Sequence, residues 1–367
     1  SIMERIFAPD YSGACVNNIV PALLQHRQIG EGWIPEEVLS SKQVVLLVID
    51  GLGYNQYHRH RHLLPSLADF NDHAISTVFP TTTATALTSI TTGSTPGEHG
   101  VVGYKIRVGT QTLNALRWTT EGGSALQELD PSRFQPIVPF SGESPTVVSP
   151  ASFVDSGFTH AHLRHSNYAG YWMASSIATE VSEALQRGEQ FVYAYYDGLD
   201  MIGHLKGLGS HYEAELGLID HIVRSISDVL PSKSSLVVTA DHGMVHTGNN
   251  LIEISPAVQN SVTAISGEAR FVWLHVNEKQ IKDVISAASE AHGDIASVHT
   301  VQELLEQGWF GREVSETAKA RLGEIALVVH EDTALVRDLK SAPKLMARHG
   351  SVTDEERTVP LLCLKSG

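Results

Sequence analysis

The sequence predicts an α/β protein: a central, mostly parallel sheet with helices on both faces and a small inserted α+β cap. Three observations carry this expectation. Apolar runs rich in β-branched residues recur at VVLLVID (44–50), at QFVYAYYDGLD from Gln190 and at SLVVTADHG (235–243), each ending in acidic residues. Short continuous runs of this kind are strands buried on both faces of a parallel sheet. Helical patterns such as SIATEVSEALQRGE alternate with them, and that alternation places ligands beyond the carboxyl ends of the strands. Finally, 367 residues at 42% hydrophobic and 18% charged suffice for one large globular domain with an elaboration.

Taken in order, VVLLVID is the first strand, and the GLG after Asp50 lets the chain turn sharply at the sheet edge. FPTTTATALTSITTG (79–93) opens a helix with threonine at almost every second position. Hydroxyls there either accept orphan backbone N–H bonds or include a nucleophile held where a helix start favours phosphate. The segment before Gln190 is a helix and the one after it a strand. SLVVTADHG is the third buried strand. Residues 262–335 then change texture: strand ARFVWLHV, helix EKQIKDVISAASEAHG, helix VQELLEQGWF and strand GEIALVVH. They read as the inserted cap of a single catalytic domain spanning 1–367. ARHGSVTDEERTVPLLCL is a loop feeding a final strand, and no repeat or low-complexity segment interrupts the order.

Charge and cysteine content narrow the function. With 26 Lys and Arg against 41 Asp and Glu, the formal charge of -15 argues against a nucleic-acid polymer as partner. A small phosphate ester remains compatible, provided metal ions supply positive charge locally. Cys15 and Cys363 form no metal or redox spacing. The stretch SIMERIFAPDYSG lacks the apolar core of a signal peptide, and no run approaches the roughly 18 apolar residues of a membrane span, so the expectation is a cytoplasmic protein.

Metal-ligating residue types cluster at the predicted strand ends. Asp50 closes one buried strand, and Asp241 and His242 follow another. Asp200 and His204 in DGLDMIGH stand four apart, which on a helix puts carboxylate and imidazole on one face, and His349 precedes a glycine in ARHGS. Three Asp and three His suit two divalent ions of the zinc kind, three protein ligands each, with positions left open for substrate. Two such ions, about 3.5–4 Å apart, support in-line phosphoryl displacement. A threonine hydroxyl coordinated to one of them can attack phosphorus at neutral pH. On residue logic Thr81, Thr82, Thr83 and Thr85 all remain open.

VVLLVIDGLG, FPTTTATALTSITTGSTPGEHGVVGY, DGLDMIGHLKG, TADHGM and ARHGS together resemble the alkaline phosphatase superfamily, and most of all its type I phosphodiesterase and nucleotide pyrophosphatase branch. The resemblance implies Thr83 as nucleophile, with a phosphorylated threonine that water hydrolyses. It implies one metal held by Asp50, Asp241, His242 and Thr83, and another by Asp200, His204 and His349, usually zinc and in some relatives manganese. It puts Tyr195 at an aromatic position of the substrate pocket, and Tyr104 where the family's phosphate-contacting asparagine stands. The family's Pro-Asn-His after the threonine is Thr85-Ala86-Leu87 here.

The expected activity is therefore hydrolysis of small phosphate diesters or pyrophosphates. A phosphomonoesterase or phosphonoacetate-type hydrolase on the same core is the alternative, with Lys105, Arg107 and Arg164 as possible sources of the extra positive charge. A metal-binding or phosphate-binding module without turnover would have no use for Thr83. His99 is expected to shape the turn after the threonine helix, and YHRHRH (57–62), His160, His162 and His165 to lie at the surface.

Overall fold

The run VVLLVI folds as the strand Gln43–Ile49, in which every residue from Val44 onward is buried. A strand without an exposed face needs cover on both sides. The computed structural model describes residues 5–25, 27 and 32–367, so part of the N-terminal stretch SIMERIFAPDYSG lies outside it. In it this strand sits at the centre of a seven-stranded sheet ordered Asn71–Ser76, Thr358–Lys365, Ser234–Thr239, Gln43–Ile49, Phe191–Tyr196, Thr146–Pro150, Asn167–Tyr171. The last five run parallel, whereas Thr358–Lys365 runs against both its neighbours. The expected mostly parallel sheet is thus present.

Register decides where the chemistry goes. Val48 stands opposite Thr239 on one side and Tyr195 on the other, so three strands finish side by side at one edge. Long crossover connections return the chain between them. One is the helix Ser210–Val229, which buries Leu216, Ile219, Val223 and Ile226 at helical spacing. The helix Thr83–Thr92 is buried through Thr91 and ends at Gly93, whose φ of 68° is the left-handed geometry of a helix stop.

A second sheet of eight antiparallel strands stands beside the first, ordered Ala296–Thr300, Ile325–Val329, Phe271–His275, Ala264–Glu268, Lys105–Val108, Gln111–Asn114, Thr119–Thr120, Gly123–Ser124. Alternation along Phe271–His275 divides the packing. Phe271 and Trp273 belong to the main core, while Val272 and Leu274 join a separate one with Val284 and Ala288 of the helix Ile281–His292. The helix expected around VQELLEQGWF covers only Val301–Glu306. Trp309 turns back onto Phe79 with ring centroids 5.2 Å apart, fastening the two sheets. No helix among the described residues is long and apolar enough to cross a membrane.

Candidate metal centre

The carboxyl edge of the central sheet gathers the expected residues. Asp50 follows the strand Gln43–Ile49, and Asp241 and His242 follow Ser234–Thr239. Asp200 and His204 lie on the helix Gly198–Lys206, which begins two residues after the strand Phe191–Tyr196, and His349 follows the short strand Ala347–Arg348. Ligand atoms of Asp50, Asp241 and His242 form one group with all separations within 4.8 Å, and those of Asp200, His242 and His349 form another. His242 Nε2 is 3.0 Å from Asp50 Oδ1 and 3.3 Å from Asp241 Oδ2, and His349 Nε2 is 3.3 Å from Asp200 Oδ1. His204 approaches the other oxygen of Asp200, at 3.2 Å.

Each imidazole is oriented by the backbone. The Nδ1 atoms of His242, His204 and His349 lie 2.8 Å from the carbonyl oxygens of Gly243, Ala347 and Thr81. A carbonyl only accepts, so Nδ1 carries a proton and Nε2 is the atom turned toward the carboxylates. Metal-bound histidines are commonly held in this way. The carboxylates are arranged to match. Asp241 Oδ1 accepts from the Gly51 and His242 N–H groups, and Asp50 Oδ2 accepts from the Tyr195 hydroxyl. Their other oxygens, Asp241 Oδ2 and Asp50 Oδ1, and also Asp200 Oδ1, are buried with no hydrogen-bond partner.

Three orphaned carboxylate oxygens facing imidazole Nε2 atoms fit divalent cations. The electrostatics agree. Burial and the adjacent Asp50 charge push Asp241 well above its ordinary pKa. Burial pulls His242 down, but Asp241 and Asp50 overcome it and raise the imidazole. Burial likewise raises Asp200, yet His204 and His349 beside it hold it well below the usual carboxylate range. Crowded anionic groups are here calling for positive charge.

The threonines separate by their partners. Thr81 Oγ1 donates to Ser351 O and accepts from Gly350 N, tying the helix start to the His349 loop. Thr82 is the N-cap residue but makes no side-chain capping bond. Thr88 and Thr92 donate back to the carbonyls of Ala84 and Thr88, and Thr85 Oγ1 has no partner. Thr83, the first helical residue, has its Oγ1 3.0 Å from His242 Nε2.

A cavity of about 890 Å³ opens over this edge, and its walls include Thr83, Tyr104, Lys105, Asp200, His204 and His349. The Tyr104 hydroxyl accepts from Asn114 Nδ2 at 2.9 Å. Tyr195 is placed differently from the expectation. It is buried in its strand, does not line the cavity, and its hydroxyl goes to Asp50. Of the basic residues considered, only Lys105 lines the cavity. Arg107 contacts Thr112, and Arg164 donates to the carbonyls of Ala161 and Ile137. Sequence reasoning overlooked Arg348 and Glu268, which also line it. Burial pushes the Glu268 carboxyl up to about 8. Only the adjacency of Arg348 to His349 hinted at either residue.

Of the other histidines, His99 is buried and accepts from Val101 N through Nδ1, which holds the turn as expected. His160 and His165 are exposed and YHRHRH is largely so, but His162 is buried and stacked on Phe158 with centroids 3.9 Å apart. Burial of that ring on the inner side of the helix Gly157–Leu163 corrects the surface expectation.

Paired candidate cation sites under a cavity, at the carboxyl edge of a sheet covered on both faces, define the class: a metal-dependent phosphoric ester hydrolase. The chain belongs to the type I phosphodiesterase / nucleotide pyrophosphatase family, which it matches over residues 44–352. No curated protein matches it. Its fold is shared with murine ectonucleotide pyrophosphatase / phosphodiesterase 5, solved inactive in complex with AMP, at 18% identity and TM-score 0.65 over 88% of this chain and 87% of that one. It is shared too with phosphonoacetate hydrolase from Sinorhizobium meliloti 1021 in complex with phosphonoacetate, at 13% identity and TM-score 0.67 over 89% and 91%.

Proposed function

We propose that this chain hydrolyses small phosphate diesters or pyrophosphates through Thr83, with Asp50, Asp241 and His242 holding one divalent ion and Asp200, His204 and His349 the other. The observation that carries the reading is the Thr83 hydroxyl, 3.0 Å from His242 Nε2 at the start of a ten-residue helix, among three unpartnered carboxylate oxygens. When bound, zinc lowers the pKa of a coordinated hydroxyl and neutralises charge on phosphoryl oxygens. Attack by Thr83 Oγ1 forms the bond to phosphorus and breaks the bond to the departing alcohol. Water then hydrolyses the phosphothreonine ester. The helix start favours the phosphoryl group through its positive dipole end and free N–H groups. Tyr104 is suited to bind a phosphoryl oxygen, since its hydroxyl accepts from Asn114 and keeps its own proton to donate.

Zinc is the metal the mixed imidazole and carboxylate set favours, with manganese as the other candidate. The insert at about 262–335 is the part that selects substrate, because its strand Ala264–Glu268 contributes cavity wall. A net charge of -15 speaks against nucleic-acid polymers, and two unpaired buried cysteines agree with a cytoplasmic setting.

The deciding experiment compares kcat/KM of zinc-loaded protein on a p-nitrophenyl phosphate diester and on p-nitrophenyl phosphate, with Thr83→Ala in parallel. Strong diester preference and an inert variant are expected. Monoester preference would favour the second reading, a monoesterase or phosphonate hydrolase, for which Lys105 and Arg348 supply positive charge at the cavity.

A further inference from the structure

Two residues that line the cavity each keep one buried polar atom without a hydrogen-bond partner: Glu268 its Oε1 and Arg348 its Nε. They come from separate parts of the chain. Glu268 ends the strand Ala264–Glu268 of the second sheet, and Arg348, 6% exposed, precedes His349. Both are held from behind. Arg348 Nη2 donates to Pro343 O at 2.6 Å. Glu268 packs on Gly350, where an added Cβ would come within 2.4 Å of Glu268 Cδ. A buried group left unsatisfied costs about 1–3 kcal/mol, more if charged, so a cavity wall that keeps two of them is built for something that satisfies both.

The pair dictates the chemistry of that group. An anion would suit the guanidinium but be refused whenever the Glu268 carboxyl ionises, and an ammonium ion would be refused by the guanidinium in either state of the carboxyl. A hydroxyl accepts from Arg348 Nε–H and donates to Glu268, and it still pairs if Glu268 is protonated. Tyr104 is the only Phe, Tyr or Trp lining the cavity among the described residues, so no pair of rings stands ready to grip a nucleobase. Glu268 lies beside the Thr82 hydroxyl, next to the proposed nucleophile. In-line displacement sends the leaving group away from the nucleophile, so the arm that reaches Glu268 is the one retained on phosphorus.

We propose that Glu268 and Arg348 jointly bind a hydroxyl on the retained arm of the diester, making this chain selective for esters of polyols or sugars over those of simple alcohols. The inference rests on the diesterase reading above.

The test measures p-nitrophenolate release from glyceryl p-nitrophenyl phosphate and from propyl p-nitrophenyl phosphate, which differ only in two hydroxyls. Wild type should prefer the glyceryl ester in kcat/KM on the order of tenfold to a hundredfold, as expected for hydrogen bonds to charged groups. Glu268→Leu removes the carboxyl. Arg348→Lys keeps the charge but puts a methylene in place of Nε–H. Each should bring the ratio close to one. Both substrates meet the same protein, so partial unfolding of a variant leaves the ratio unaffected. Equal cleavage by wild type, or a preference that survives both variants, overturns this proposal alone. Cleavage of neither ester overturns the diesterase reading and this proposal with it.

Discussion

At the scale of single residues, the proposed metal site depends on partners that act through the side chains assigned as ligands. Tyr195 is one: its hydroxyl binds Asp50 Oδ2 and leaves Oδ1 for a cation. Tyr195→Phe keeps the ring in the core and removes only that donor. Loss of such a supporting bond costs 10–100-fold in metal affinity as an order of magnitude, so competition with a fluorescent chelator should show one ion bound correspondingly more weakly. Unchanged affinity would make Tyr195 plain core. Thr83→Ala tests a different property. It removes a hydroxyl beside His242 without touching the six Asp and His side chains. If Thr83 is the nucleophile, turnover should fall on the order of 10³-fold or more, as it does where enzymes lose theirs, while the melting curve and the metal content stay those of wild type. A variant within a few-fold of wild type would place the nucleophile elsewhere.

At the scale of elements, the His349 loop is fixed by a buried ion pair. Arg270, in the turn between Ala264–Glu268 and Phe271–His275, meets Glu356 with both side chains at 0% exposure, and its remaining N–H groups reach the carbonyls of Glu331, Thr333 and Val329. Glu356 in turn accepts from Ser351 N and the Thr353 hydroxyl. Burial would raise its pKa, but Arg270 outweighs that and holds it below the ordinary 4.5. A depressed carboxyl contributes stability that is full above its unfolded value and lost as pH falls toward the folded one. Glu356→Gln should therefore flatten the drop in Tm between pH 6 and pH 3.5. It should also lower Tm at pH 7, since the Arg270 charge stays buried and unpaired. Parallel Tm curves for wild type and variant would remove Glu356 from the acid response. None of this was legible in the sequence. Arg270 and Glu356 stand 86 residues apart and belong to no periodic pattern. Asp50, Asp241 and His242, by contrast, follow apolar runs whose burial pattern fixes the sheet edge. Local periodicity exposes strand ends, and only the folded chain exposes pairings between distant loops. The hairpin Lys105–Asn114 in the second sheet was hidden for the same reason: its short strands carry mixed residues, and pairing with Ala264–Glu268 is a long-range event.

At the scale of the whole molecule, an acidic chain places three of its carboxylates together, two of them in the driest part of the fold. Asp50 and Asp241 are 2% and 0% exposed, and the protein already carries a formal charge of -15. Without cations such a cluster opposes folding through mutual repulsion and lost solvation, and protons must stand in, which is why Asp241 and His242 are both pushed up. Metal loading and global stability should consequently be one quantity. The native protein should hold close to two divalent ions by elemental analysis, and exhaustive chelation should lower Tm. Zinc added back at a free concentration of 100 times Kd should restore about 2.7 kcal/mol per site, because the unfolded chain has no preformed site to compete. Asp200→Asn should reduce the count toward one ion and halve the recovery, with Asp241→Asn doing the same at the other site. A Tm indifferent to chelation, or an ion count that never passes one, would mean that protons rather than metals balance this edge of the sheet.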